Sequence, residues 1–139
     1  MRSILLFTLA ALLVSSTAVA QKLNREKKAI IASVEAHQEA LIAISDSIWA
    51  LAETAFQEHE SARILADYAE SQGLTVERGV AGIPTAFVAT YGSGSPVISV
   101  LGEFDALPGI SQKASPVKEP LNAGAAGHGC GHNLFGAAS

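Results

Sequence analysis

The run Val97-Ile98-Ser99-Val100-Leu101 constrains this chain most, because it is apolar along its length and leads straight into the carboxylate-bearing stretch Gly102 to Gly109, "GEFDALPG". A strand of that character is predicted to be buried on both faces, which places it inside a sheet covered by helices. The fold class that follows is α/β, and the ends of such strands are where α/β folds put their ligand groups.

The upstream segments supply the helices. Residues from about Glu26 to Ala55 carry Ile30, Val34, Leu41, Ile44, Ile48, Leu51 and Ala55 at three-four spacing, the pattern of one long amphipathic helix. His37 falls in phase with that stripe and reads as a histidine at the edge of the core, with Trp49 packing beside it. Ser61 is the expected N-cap of a second helix, with Glu58 and Glu60 near its positive end. Ile64, Leu65, Tyr68 and Ala69 form its buried face, and Gly73 ends it in the left-handed conformation. His59 reads as a surface residue. Leu74 to Val80 and Ala86 to Tyr91 are predicted strands separated by a turn at Gly82-Ile83-Pro84, and Gly92 to Pro96 is the hairpin loop leading to the third strand. The order is helix, helix, then three strands.

Residues 1–20 have the form of an export signal rather than of fold. Arg2 is followed by the apolar run Ile4 to Val14 and by Ala18-Val19-Ala20, an A-x-A cleavage pattern. The run is too short to serve as a stable membrane anchor. An exported, periplasmic or extracellular protein beginning at Gln21 is expected. The chain has a net charge of −4 and no basic stripe interleaved with aromatics, so nucleic acid is not an expected partner.

Lys113 to Ala126 contains two prolines and no periodicity, and it reads as a loop. A helix is expected to begin at Asn133. Three strands and an opening helix make an unfinished sheet, so the 139 residues read as the N-terminal part of a longer protein.

Two constellations carry chemistry. Glu103 and Asp105 stand two residues apart after the apolar run, so both can face one way. Such carboxylates bind a metal, orient a histidine or relay protons; a polar strand end turning at Pro108 explains the same residues. The second is "GHGCGHN", Gly127 to Asn133, where the only cysteine of the chain is one glycine away from a histidine. A lone thiol in an exported protein is inert and buried, paired with another chain, or held by a metal. A thiolate beside an imidazole suits a borderline-soft ion such as zinc. A nucleophilic Cys–His pair is the rival, and it would need an orienting group and an oxyanion hole. A phosphate loop fits less well, since the glycines miss G-x-G-x-x-G and no lysine follows. A flexible glycine-rich loop is the plainest reading.

Together "GEFDALPGIS" and "GHGCGHNLFG" resemble the M20 metallopeptidase and amidohydrolase family, in its aminobenzoyl-glutamate branch. The family's H-x-D-x-x-P pattern is met by Glu103 to Pro108, with Glu103 in place of the histidine. Its H-x-C-G-H-D motif is met by His128 to Asn133, with Asn133 in place of the aspartate. Ala50 to Gly73 is also similar to the family's N-terminal region. The resemblance implies a zinc-exopeptidase-like catalytic domain, of which residues 21–139 are the first part, with the lid or dimerisation domain and the remainder absent. It implies Cys130 and His132 as metal ligands, Asp105 as a catalytic carboxylate orienting the site, and Glu103 and His128 as supporting groups. The implied cofactor is zinc or manganese, two ions in the whole enzyme. The implied reaction is hydrolysis of the amide in an N-acyl amino acid such as aminobenzoyl-glutamate, by a homodimer or a heteromer with a companion subunit. A truncated non-catalytic chain, a partner-binding subunit and a cysteine-nucleophile hydrolase are the competing expectations.

Overall fold

The computed structural model describes residues 24–139; the expected signal segment and its cleavage point lie outside the described residues. The described residues form a mixed α/β structure of three α-helices and a two-stranded antiparallel sheet: α1 (Arg25–Leu51), α2 (His59–Ser71), β1 (Thr75–Arg78), β2 (Phe87–Thr90) and α3 (His132–Ala138). The chain divides into two compact units, Met1–Glu35 and Ala36–Ser139. The described part of the first is the opening of α1, and everything below concerns the second. Among the described residues no helix is long and apolar enough to cross a membrane.

Asn24 starts α1, its side-chain oxygen accepting the Lys27 N–H at 2.8 Å. The helix stops at Leu51 rather than Ala55, because Ala52 takes a left-handed backbone (φ 45°). Only part of the expected stripe is covered: Ile44 and Ile48 are buried, whereas Ile30, Val34 and Leu51 are exposed. His37 is half-buried and His59 exposed, as their positions in the pattern suggest.

The second helix begins two residues earlier than expected, and Ser61 is not its N-cap. Glu58 holds that position without a side-chain capping bond. The orphan N–H groups of the first turn are met from outside the helix. Glu53 accepts from the Glu60 N–H at 3.1 Å and from the Ser61 N–H at 2.8 Å, and the Ser61 hydroxyl donates to it at 2.7 Å. Burial alone would raise the Glu53 carboxyl, but the Ser61 and Glu60 hydrogen bonds outweigh it and hold the group below its ordinary value of 4.5. A carboxyl depressed by folding stabilises the fold above its unfolded pKa, and that contribution is lost as pH falls through the folded one. Glu53→Gln should therefore cost about 1 kcal/mol at neutral pH, at the low end for a cap because the group is only part-buried. Urea titrations at neutral pH and below pH 4 check this: the wild-type advantage should shrink in acid.

Gly73 ends α2 with φ 88°, as expected of a left-handed C-terminal residue. β1 and β2 pair antiparallel in the register Thr75↔Thr90 to Arg78↔Phe87, shorter at each end than the sequence suggests. Arg78 on β1 reaches back to Glu70 and Asp67 of α2 at 2.6 and 2.9 Å, an exposed network that orients more than it stabilises.

The third strand is not formed. Residues 97–101 pair with no strand among the described residues, and Val97 and Ile98 are 81% and 86% exposed. An apolar run becomes an inner strand only where neighbours supply backbone partners and cover both faces. Neither is supplied by the described residues, and the Gly92 to Pro96 loop accordingly closes no hairpin. The core lies elsewhere: Ile44 and Ile48 of α1 against Leu65 of α2, with Ile64, Tyr68, Phe87, Phe104 and Ala137 packed around them.

Candidate functional site

Two close approaches bring the sequence motifs together. Ala106 donates its N–H to the Glu53 carbonyl at 2.7 Å, which anchors the "EFDALP" segment beyond the end of α1. Leu107 and Gly127 then exchange N–H···O bonds, both 3.0 Å, and Ser111 donates to the Ala125 carbonyl at 2.9 Å. The loop Lys113 to Ala126 thus returns the chain alongside the segment it left, closed by the Lys113–Glu119 ion pair. Gly127 has to be glycine for this: a Cβ there would stand 2.6 Å from the Ile110 carbonyl oxygen. At the far end, Gly136 lets α3 lie against residues 103–104, where a Cβ would come within 2.8 Å of Phe104 Cβ.

α3 begins at His132, one residue before the expected start, after Gly131 at φ 72°. The result is a histidine held between two carboxylates. His132 Nδ1 lies 2.7 Å from Asp105 Oδ1, and Nε2 lies 3.3 Å from Glu103 Oε2. The expectation that Glu103 and Asp105 face one way is met, with the imidazole between them. Asp105 and His132 are mostly covered, Glu103 is open to solvent, and the Phe135 ring flanks the histidine at 6.4 Å. Cys130 is an exposed, unpaired thiol. His128 faces the other way. Its Nε2 donates to the Ile48 carbonyl at 3.0 Å, and its buried Nδ1 has no hydrogen-bond partner. Burial pushes the His128 ring toward its neutral form. A cavity of about 340 Å³ opens on that side of the motif, lined among others by Trp49, Ile110, Leu121 and His128.

The donors suit a divalent ion in kind. With its Nδ1–H given to Asp105, the neutral His132 presents a lone pair at Nε2 to a carboxylate 3.3 Å away. Two acceptors so placed need a cation beside them, and neighbouring ligand atoms on a tetrahedral zinc with bonds of about 2.0–2.1 Å are themselves about 3.3 Å apart. Asp105, His132 and an ion form the carboxylate–histidine–metal arrangement that fixes a ligand imidazole. In number the donors fall short: among the described residues no group of three or more His, Cys, Asp or Glu could by itself hold a metal ion.

Sequence reasoning missed two contributors, Ser45 and Glu53. Asn133 is buried and donates to Ser45 Oγ at 3.0 Å. The signal for Ser45 was its place on the apolar stripe, three residues before Ile48 and four after Leu41. Glu53 carried none, because its partners lie seven and eight residues away.

The site is thus a carboxylate–imidazole–carboxylate cluster beside a solvent-facing thiol, on a mixed α/β scaffold. No family model matches the chain. The chain is similar to the second of the named subunits, B, of the p-aminobenzoyl-glutamate hydrolase of Escherichia coli (strain K12), with 48% identity over 108 residues that make up 77% of this chain. It spans only 22% of that relative's length. The likeness to the aminobenzoyl-glutamate branch, read above from the two motifs, is borne out by this similarity.

Proposed function

We propose that this chain is the N-terminal part of an exported, metal-dependent amidohydrolase of the M20 type. It cleaves the amide of N-acyl amino acids such as aminobenzoyl-glutamate. The observation that carries the reading is His132 held at Nδ1 by Asp105 and facing Glu103 at Nε2, one residue from Cys130. The similarity to one subunit of a hydrolase over most of the chain supports it.

In this reading His132 and Cys130 hold zinc or manganese. A bound ion of this kind lowers the pKa of a water and polarises a carbonyl oxygen. Asp105 keeps the His132 proton on Nδ1, so that Nε2 is always the donor atom on the reacting side. Glu103, open to solvent, stands where it can accept a proton or complete the coordination. The remaining ligands and the general base come from the part of the enzyme outside this chain, which also builds most of the specificity pocket. The relative's name, which makes it one subunit of a hydrolase, supports a heteromer with a companion subunit. The thiol-nucleophile reading is disfavoured because both His132 nitrogens face carboxylates, leaving none toward Cys130.

Chelation tests the proposal. The complete enzyme should lose amide hydrolysis on dialysis against a chelator and regain it with zinc or manganese. Bound metal should also slow alkylation of Cys130, whose lone pair is then engaged. Activity that ignores chelators and is abolished by iodoacetamide would overturn it in favour of a nucleophilic cysteine.

A further inference from the structure

The "GHGCGHN" stretch is pinned at both ends to one face of α1. Asn133, 7% exposed, donates from Nδ2 to Ser45 Oγ at 3.0 Å and lies 3.4 Å from the Ser45 carbonyl. His128 donates from Nε2 to the Ile48 carbonyl at 3.0 Å. Ser45 and Ile48 are both buried, and three residues apart they share a helix face. The two carbonyls can each take a second donor, since a carbonyl oxygen has two lone pairs; that of Ile48 already accepts the Ala52 N–H at 3.1 Å. Between the two anchors the backbone turns at Gly131, φ 72°, and exposes Cys130 and His132 away from α1.

We propose that Asn133 and His128 are positioning residues: together they clamp the Cys130–His132 loop onto α1 at Ser45 and Ile48, and so set the placement of the two side chains. The inference rests on the metal-hydrolase reading for its effect on activity, and on geometry alone for its effect on the loop. It also accounts for the asparagine that stands where the H-x-C-G-H-D pattern has an aspartate. A carboxylate cannot donate to the Ser45 carbonyl and would bring two acceptors together in a buried place, which costs the desolvation of an unpaired group. The amide satisfies both atoms of Ser45. Identity at position 133 is thus tied to α1 rather than to the ion.

Three variants of the complete enzyme test the clamp. Asn133→Leu keeps the volume and removes the donor. Asn133→Asp keeps only the hydroxyl as a partner. Ser45→Ala is the mildest, deleting one hydroxyl and leaving the carbonyl in place. Asn133→Leu should weaken zinc affinity and lower kcat about 10- to 100-fold with KM little changed, the usual penalty for losing a group that orients a ligand. Asn133→Asp should behave similarly, and Ser45→Ala should lose a few-fold. Backbone hydrogen exchange at 129–135 should quicken about 10-fold or more in the metal-free Asn133 variants, while α2 exchanges as before. Folded variants with wild-type exchange at 129–135 would overturn the clamp whatever the enzyme does. A Tm drop with unchanged zinc affinity and kcat would overturn its positioning role. If the wild-type protein holds no metal and hydrolyses no amide, the functional proposal fails, and faster loop exchange in the variants still supports the clamp.

Discussion

In the complete enzyme, His132→Ala should abolish metal-dependent amide hydrolysis, and Asp105→Asn should lower kcat/KM and zinc affinity by about 10- to 100-fold. The two losses have different origins. Alanine at 132 removes a donor atom from a shell that holds only three or four protein ligands. Asparagine at 105 removes none. It offers His132 Nδ1, 2.7 Å away, an amide that either donates or accepts. When it donates, the imidazole proton moves to Nε2, and the lone pair facing Glu103 is gone. The damage is thus a wrong tautomer in an intact fold. Zinc content by metal analysis and steady-state kinetics, with circular dichroism to show retained helix, check both variants. An Asp105→Asn enzyme with wild-type zinc affinity would show that the carboxylate does not set the tautomer, and the carboxylate–histidine–metal reading would fall with it.

What could be read ahead of the structure follows from how local each interaction is. Gly73, the short pairing of β1 with β2 and the Lys113 to Ala126 loop are dictated by neighbours in sequence, and they stand close to where composition placed them. Glu103 and Asp105 were legible as a pair because an extended backbone repeats every two residues, so two carboxylates at that spacing share a side. Nothing in the spacing said that a ring 27 residues later would sit between Asp105 and Glu103. The start of α2 escapes sequence reading for the same reason. A serine before an apolar face is a sound N-cap signal, but here Glu53, eight residues upstream, satisfies the Ser61 N–H instead. Residues 97–101 show the limit of apolar patterning. It states that a segment gains by burial, and it does not supply the strands that bury it.

That exposure sets the expected behaviour of residues 21–139 expressed alone. Three large side chains, Ile44, Ile48 and Leu65, form the described core, while Tyr91, Val97, Ile98, Val100 and Leu101 are all more than 70% exposed. Apolar side chains gathered in one stretch of surface mark a site that another element covers, or else an aggregation hazard. The metal donors are in the same condition, since His132, Cys130 and the two carboxylates make no closed group of ligands among the described residues. The segment alone should therefore melt without a sharp cooperative transition and bind a hydrophobic dye. Its zinc affinity should be at least 100-fold weaker than that of the complete enzyme, and it should hydrolyse neither aminobenzoyl-glutamate nor acetyl-amino acids. Lengthening the chain to include the downstream part should restore all four properties together, because the same added strands that cover residues 97–101 would carry the missing ligands. Calorimetry, zinc titration and amide-cleavage assays on the short and long forms decide it. A sharp transition with metal-dependent turnover in the short form would mean that a complete site assembles from this chain alone, most simply across two copies of it.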